Sequence, residues 1–286
     1  MKKTGIALLL IILSLTSAKA DELVLGYITD IPPESKQARQ KRHKIIAKRR
    51  AGIPLMVHRG ATKEAPENTL EAYAAAMDLG ADGVEIDVRR SKDGVLYLFH
   101  DDTLDRETNG SGKVRNVTYY EMLKLTPKRI YGRANNDTRP PTLIAFLVLA
   151  RRRAMLLHLD IKESGIQNEL ADALAKMDMW DHIVEVNADN ADRLRPPDDP
   201  NNWNPNAPYN KVRLIPYKGW TPTWDGPDAE ILRAIKKWLP TKPGKQMAFC
   251  KDPRLPAKAM GKLTQKPIPI PQNLRAWWGP NGIVKR

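Results

Sequence analysis

Between Ile53 and Val186 short, β-rich apolar runs alternate with helix-like segments, the pattern of βα units building a parallel sheet. Strands are expected at Ile53–Val57, Val84–Val88, Val95–Phe99, Met155–Ile161 and Ile183–Val186. Helices are expected from Thr69 to about Leu79, over Leu143–Arg152 and over Ile166–Met177. Asn68 is the expected cap of the first helix, with Glu71 three residues on in a capping-box pattern, and Gly80 stops it. Asp101–Arg139 is a polar excursion whose Asn109-Gly110-Ser111-Gly112 stretch must be a surface loop. After Arg195 the rhythm degrades: Pro196–Pro208 excludes regular structure, and only Val212–Tyr217 (strand), Asp228–Leu239 (helix) and Met247–Cys250 (closing strand) remain legible. The fold class is α/β, a (β/α)8 TIM barrel over residues 51–261, irregular or incomplete in its C-terminal half.

The chain outside that segment reads differently. Residues 1–20 join Lys2-Lys3, the apolar run Ile6–Leu13 and the small-x-small ending Ala18-Lys19-Ala20, a secretory signal peptide. The run falls short of the ~20 apolar residues needed to span a bilayer. Cleavage near Ala20 would place the protein in the periplasm or outside the cell. Cys250 is the only cysteine, so no intrachain disulfide can form there. The formal net charge of +14 favours anionic partners. The basic N-terminal arm, residues 21–50, contains the densest cationic run, Lys36–Arg50, expected as a solvated helix; an anionic membrane surface is the other reading of it. Residues 262–286 form a Pro-rich tail. No recognition motif for nucleic acid and no obligate protein partner is evident.

Polar residues gather at the expected strand ends. Side chains alternate along a strand, so Glu85 and Asp87 share one face, as do His158, Asp160 and Lys162. Inward carboxylates at the C-terminal mouth of a barrel repel unless a cation lies between them. Mg²⁺ or Ca²⁺ is the natural neutraliser of such oxygen ligands. His58-Arg59 and His100-Asp101 close two further strands. Each alone has a bland reading; their joint arrival at successive strand ends points to catalysis.

The blocks His58-Arg59-Gly60, Pro66-Glu67-Asn68-Thr69, Gly83–Val88 and Asp93–Asp101 resemble, in order and spacing, the signatures of glycerophosphodiester phosphodiesterases. Leu159–Lys162 and Cys250–Pro253 resemble later parts of that family. The resemblance implies a divalent metal on Glu85, Asp87 and Asp160. It makes His58 and His100 the acid/base pair and Arg59 and Lys162 the holders of phosphate oxygens. Glu67, Asp101 and His158 are read as supporting groups, with a plain structural role equally open for Glu67 and Asp101. Where the family usually carries Glu, this chain has Asp160, as do the related secreted phospholipase D toxins. The family mechanism attacks phosphorus with a neighbouring hydroxyl of the substrate and passes through a cyclic phosphate. Two imidazoles with pKa near ~6.5 would suit that exchange of protons.

The expected function is hydrolysis of a small phosphodiester, a glycerophosphodiester, to an alcohol and glycerol phosphate. The alternatives are a phospholipase D-like enzyme acting on lysophospholipids or sphingolipids, and a non-catalytic anion-binding barrel. The family's tryptophan-bearing strand is not clearly present, and Trp220 and Trp224 are candidates for the pocket wall.

Overall fold

The computed structural model describes residues 33–186, 226–238 and 247–262, and positions 267, 269 and 270. The chain divides into Met1–Glu34 and Ser35–Arg286, and every element named here lies in the second unit. The signal segment, the strand expected at Val212–Tyr217, Trp220, Trp224 and almost all of the tail lie outside the described residues.

Helix α1 (Lys36–Ala51) leads into β1 (Leu55–Val57), α2 (Leu70–Asp78), β2 (Gly83–Arg90) and β3 (Leu96–Leu98). The excursion carries a 3-10 turn at Val114–Asn116 and α3 (Tyr119–Lys124). It is followed by α4 (Leu143–Arg153), β4 (Leu156–Ile161), α5 (Gln167–Lys176), β5 (Ile183–Val186), α6 (Asp228–Trp238), β6 (Ala248–Cys250) and α7 (Arg254–Ala259). The sheet order is β5-β4-β2-β1-β6, all parallel, with β3 attached beside β2. The last described strand pairs in register with the first, Leu55 opposite Ala248 and Val57 opposite Cys250, as a sheet curling back on itself requires. The described strands and helices are part of a (β/α) barrel.

Two local expectations are corrected. The strand expected at Val95–Phe99 is not a barrel stave: β3 runs antiparallel to β2, with Val88 opposite Leu98 and Arg90 opposite Leu96. The Asp93-Gly94 turn, Gly94 at φ +87, reverses the chain immediately, and a reversal that tight can only make a hairpin. Asn68 does not cap α2; Thr69 does, its hydroxyl accepting from Ala72 N at 3.3 Å. Asn68 instead sits at φ +54 with its amide buried in the strand-end site. Gly80, at φ +95, follows the helix end as expected.

Gly83 shows why β2 starts where it does. A Cβ there would lie 2.1 Å from Leu156 O, so only glycine lets β2 and β4 approach at their N-terminal ends.

The cationic run Lys36–Arg50 of the basic arm is helical, within α1, and it is docked rather than simply solvated. Ser35 caps α1, accepting from Ala38 N at 3.2 Å. Ile46 is fully buried with Met56, Leu156, Val184, Met247 and Phe249, closing the end of the barrel where its strands begin. The cations on that side are spent on carbonyls: Arg42 donates to Asp178 O at 2.8 Å and Arg50 to Ile183 O at 2.5 Å. Buried His182 lies 2.6 Å from Met155 O through Nδ1 and 3.0 Å from Arg42 through Nε2. Burial, reinforced by Arg42, holds its pKa well below the usual value. The neutral ring therefore donates from Nδ1 and accepts the guanidinium at Nε2. Lys36, Lys41, Lys44 and Lys48 remain exposed on the outer side.

Replacing Ile46 with Ala should cost about 2–5 kcal/mol of folding stability, as for other large-to-small core changes, while Lys44→Ala should cost less than ~0.5. Urea denaturation of the two variants checks this; equal midpoints would mean that the helix is not docked.

Candidate active site

β2 lies between β1 and β4, and its register sets the site. Asp87 is opposite Asp160, and Glu85 is opposite His158. Alternation then turns Glu85 and Asp87 to one side of the strand, where one oxygen from each, with one from Asp160, falls within 4.8 Å of the others. Glu85 and Asp87 are buried, at 3% and 0% exposure. The Glu85 carboxyl is pushed well above the usual carboxylate range, first by burial and then by Asp87. Three converging hard oxygen donors, two of them on fully or almost fully buried carboxylates, fit a divalent cation of the Mg²⁺ or Ca²⁺ kind.

Arg59 reaches this group through strained backbone. It has φ +53, outside the usual range for a side-chain-bearing residue, and is followed by Gly60 at φ +83. A Cβ on Gly60 would come within 2.8 Å of Ala72, so the turn also needs that glycine. The turn aims Arg59 N–H at Glu85 Oε2, 3.0 Å away, and brings Arg59 Nε to 3.3 Å from Asp87 Oδ2. Lys162, just past β4, places Nζ 3.0 Å from Asp87 Oδ1 and 2.5 Å from Asp160 Oδ2. Burial lowers its pKa, but Asp87 and Asp160 outweigh that and lift it above the usual value. The two expected phosphate-holding cations thus stand against the acidic group.

His58 ends β1, its N–H donating to Cys250 O at 2.9 Å across the β1–β6 seam. Its Nε2 lies 3.9 Å from Glu85 Oε2. Burial, then the charges of Arg59 and Lys251, push its pKa down to about 2. The expectation of two unperturbed imidazoles therefore fails for His58, which is held neutral. His158 is pushed down to about 4 by burial and packs 5.5 Å from the Phe249 ring, which also lies 5.8 Å from His58. His158 thus lines the same apolar wall as His58.

His100 arrives by the hairpin rather than on a stave. β3 returns alongside β2, Phe99 N donates to Asp87 O at 3.0 Å, and the Arg89 guanidinium holds His100 O at 2.7 Å. His100 Nδ1 is 2.6 Å from Asp101 Oδ1. Asp101 is pushed down to about 2, chiefly by its hydrogen bond from Arg106. Glu67 accepts from Arg59 Nη1 at 3.0 Å and from Arg106 Nη2 at 2.8 Å. Burial alone would raise its pKa, but the two guanidiniums hold it below the usual value.

Three residues with direct roles in this arrangement escaped the sequence reading. Asn68 donates to Asp87 Oδ2 at 2.8 Å and accepts from Tyr73 OH at 2.7 Å, which fixes the Asp87 carboxylate. The adjacent Thr69 was the signal, since only one of the pair can cap α2. Tyr73 stands on the first turn of α2, five residues beyond Asn68, and meets it because Asn68 turns back from outside the helix at φ +54. Arg106, inside the polar excursion, had no signal beyond its acidic neighbours Asp105 and Glu107. A second His/Glu group, Glu67, His100 and Glu107, also brings ligand atoms within 4.8 Å, but Arg106 Nη2 donates to both glutamates and already supplies its cation. Beside it, between the start of α2 and the excursion, lies a cavity of about 470 Å³ lined by Pro66, Phe99, Arg129 and Tyr131 among others.

Residues 58–195 match the glycerophosphoryl diester phosphodiesterase family. Over 135 residues the chain is 37% identical to the glycerophosphodiester phosphodiesterase of Caldanaerobacter subterraneus, covering 46% of this chain and 56% of that protein. Over 136 residues it is 35% identical to human glycerophosphodiester phosphodiesterase 1, covering 47% and 40%. The chain thus spans about half the length of the curated relatives it matches. A crystal structure of a glycerophosphoryl diester phosphodiesterase from Parabacteroides distasonis superposes with TM-score 0.58 at 23% identity, over 77% of this chain and 91% of that one. One from Agrobacterium tumefaciens gives 0.53 at 23%, over 71% and 98%. At that identity the structures establish a shared fold, and over residues 58–195 the sequence matches the model of the glycerophosphoryl diester phosphodiesterase family.

Proposed function

We propose that this chain is a metal-dependent phosphoric diester hydrolase that cleaves glycerophosphodiesters to an alcohol and glycerol phosphate. The observation that carries the reading is the convergence of Glu85, Asp87 and Asp160 beside two histidines, an arginine and a lysine. Anion-binding alone would not call for buried carboxylates at the point where the anion must sit. A divalent cation bound by the three carboxylates would supply charge stabilisation to a phosphoryl oxygen. Mg²⁺ and Ca²⁺ are the two ions we propose.

The protein's own groups divide the remaining work. Arg59 and Lys162 hold non-bridging phosphate oxygens and offset the charge that grows on them. His58, neutral in its buried setting, takes the proton of the substrate hydroxyl adjoining the phosphate. As that oxygen bonds to phosphorus, the bond to the leaving alcohol breaks. His100, whose Nδ1 faces the Asp101 carboxylate, gives its Nε2 proton to the departing oxygen; Asp101 stabilises the imidazolium this requires. Opening of the cyclic phosphate by water reverses the two roles.

Export is proposed from the Lys2–Ala20 segment, and the exposed lysines of α1 are the proposed contact with anionic lipid surfaces, on the side of the barrel where its strands begin.

Either His58→Ala or His100→Ala should lower kcat on glycerophosphocholine by about 10²–10⁴. EDTA should abolish turnover, and added Mg²⁺ or Ca²⁺ should restore it. ³¹P NMR of the product mixture checks both, and turnover indifferent to chelation and to both substitutions would sink the enzymatic reading. The same assay with lysophosphatidylcholine separates a phospholipase D-like activity. If the export proposal holds, N-terminal sequencing of the exported protein should begin at Asp21.

A further inference from the structure

Arg106 sits where the excursion meets both halves of the site. Its Nε and Nη2 form a two-point fork on Asp101, at 2.6 and 2.8 Å from the two carboxylate oxygens. The same Nη2 lies 2.8 Å from Glu67 Oε1 and 2.6 Å from Glu107 Oε1. Asp101 holds His100 Nδ1, and Glu67 holds Arg59 Nη1. One guanidinium is therefore one residue removed from the proton-carrying imidazole and one residue removed from the phosphate-holding arginine.

We propose that Arg106 is a positioning residue for both, and that the 101–139 excursion belongs to the working site rather than only decorating it. The inference rests on the phosphodiesterase reading. Three carboxyl groups, Asp101, Glu67 and Glu107, converge on this guanidinium; burial and then Glu67 push the Glu107 pKa up to about 8, so the charges that meet there are those of Asp101 and Glu67. Without Arg106 they face one another. Repulsion would then draw Asp101 from His100 and Glu67 from Arg59. Lysine cannot substitute fully, because a point charge lacks the planar fork that fixes Asp101 at two atoms.

The excursion is built to hold Arg106 still. Lys128 N donates to Glu107 O at 2.8 Å, and Lys128 Nζ to Asp105 O at 2.7 Å. Further along, Arg133 N donates to Glu64 O at 2.7 Å, Arg133 Nη1 reaches Asp78 at 2.5 Å, and Tyr131 OH donates to Thr62 O at 2.7 Å. The excursion is thus fastened to the loop after β1 and to α2. It also has its own small core, with Leu104, Val114, Met122 and Leu123 buried.

The two functions of Arg106 leave different kinetic traces. Acting through Asp101 and His100, it supports proton donation to the leaving oxygen. That help matters for an alkoxide and hardly matters for p-nitrophenolate, which leaves without a proton. Acting through Glu67 and Arg59, it supports phosphate binding, which both substrates need. The test is steady-state kinetics of the full chain and of Arg106→Ala and Arg106→Lys on glycerophosphocholine and on the p-nitrophenyl ester of glycerol phosphate. Arg106→Lys keeps a cation among the three carboxyl groups and guards against simple misfolding of the alanine variant.

For Arg106→Ala we expect kcat on glycerophosphocholine to fall by about 10–100-fold, and kcat on the p-nitrophenyl ester to fall by less than about threefold. KM should rise for both. Arg106→Lys should show the same preference with smaller losses. Equal losses of kcat on the two substrates, or no loss on glycerophosphocholine, would overturn the role of Arg106. A wild-type protein inactive on both substrates would instead overturn the phosphodiesterase reading on which that role rests.

Discussion

Two carboxylates on one buried face of β2 govern the rest of the site. Glu85 and Asp87 are forced together by strand periodicity, and the β2–β4 register adds Asp160 beside them. Burying like charges is costly unless they are neutralised or hydrogen-bonded, and the surrounding chain is arranged around that cost. Arg59 is held in left-handed backbone so that its N–H meets Glu85, Asn68 is diverted from capping α2 to bind Asp87, and Lys162 bridges Asp87 and Asp160. Each departs from what its local sequence would do alone, and each ends on the same acidic group. A bound cation completes that arrangement.

The two imidazoles reach this centre by different routes and end in different environments. His58 is delivered by a barrel strand into a partly buried corner against Phe249, where burial and then the neighbouring cations keep it neutral. His100 is delivered by a hairpin that doubles back beside β2 and is backed by the ionised Asp101. A pair of groups set in contrasting surroundings is what a reaction needing one proton acceptor and one donor requires. The hairpin also explains the excursion: once β3 has turned back, the chain must travel to the start of α4, and it does so across the mouth.

Much of this was legible in the sequence because it depends on periodicity. Period-two spacing identified Glu85 with Asp87 and His158 with Asp160, and apolar runs located β1, β2, β4, β5 and the closing β6 within a few residues. Features set by long-range contact were not legible. The docking of α1 depends on Ile46 finding an apolar cluster gathered from four strands, and the pKa of His58 depends on burial; the antiparallel course of β3, by contrast, was already encoded in the Asp93-Gly94 turn. Asn68 and Arg106 look like a helix cap and a loop charge until the fold brings Asp87 and Asp101 to them.

The central claim is that Glu85, Asp87 and Asp160 form a cation site whose carboxylates are under electrostatic strain without the ion. Thermal unfolding of the wild type and of Glu85→Gln, with EDTA and with Mg²⁺ or Ca²⁺, tests it most directly. A ligand that binds only the folded state stabilises it by ~2.7 kcal/mol at a hundred times its Kd. The wild type should therefore melt higher with the ion, and Glu85→Gln should not respond to it. Because the glutamine carbonyl can still accept from Arg59 N–H and adds no charge, the metal-free variant should melt at or above the metal-free wild type. An ion-induced shift of the same size in both proteins, or a metal-free Glu85→Gln that melts clearly below the wild type, would contradict the account.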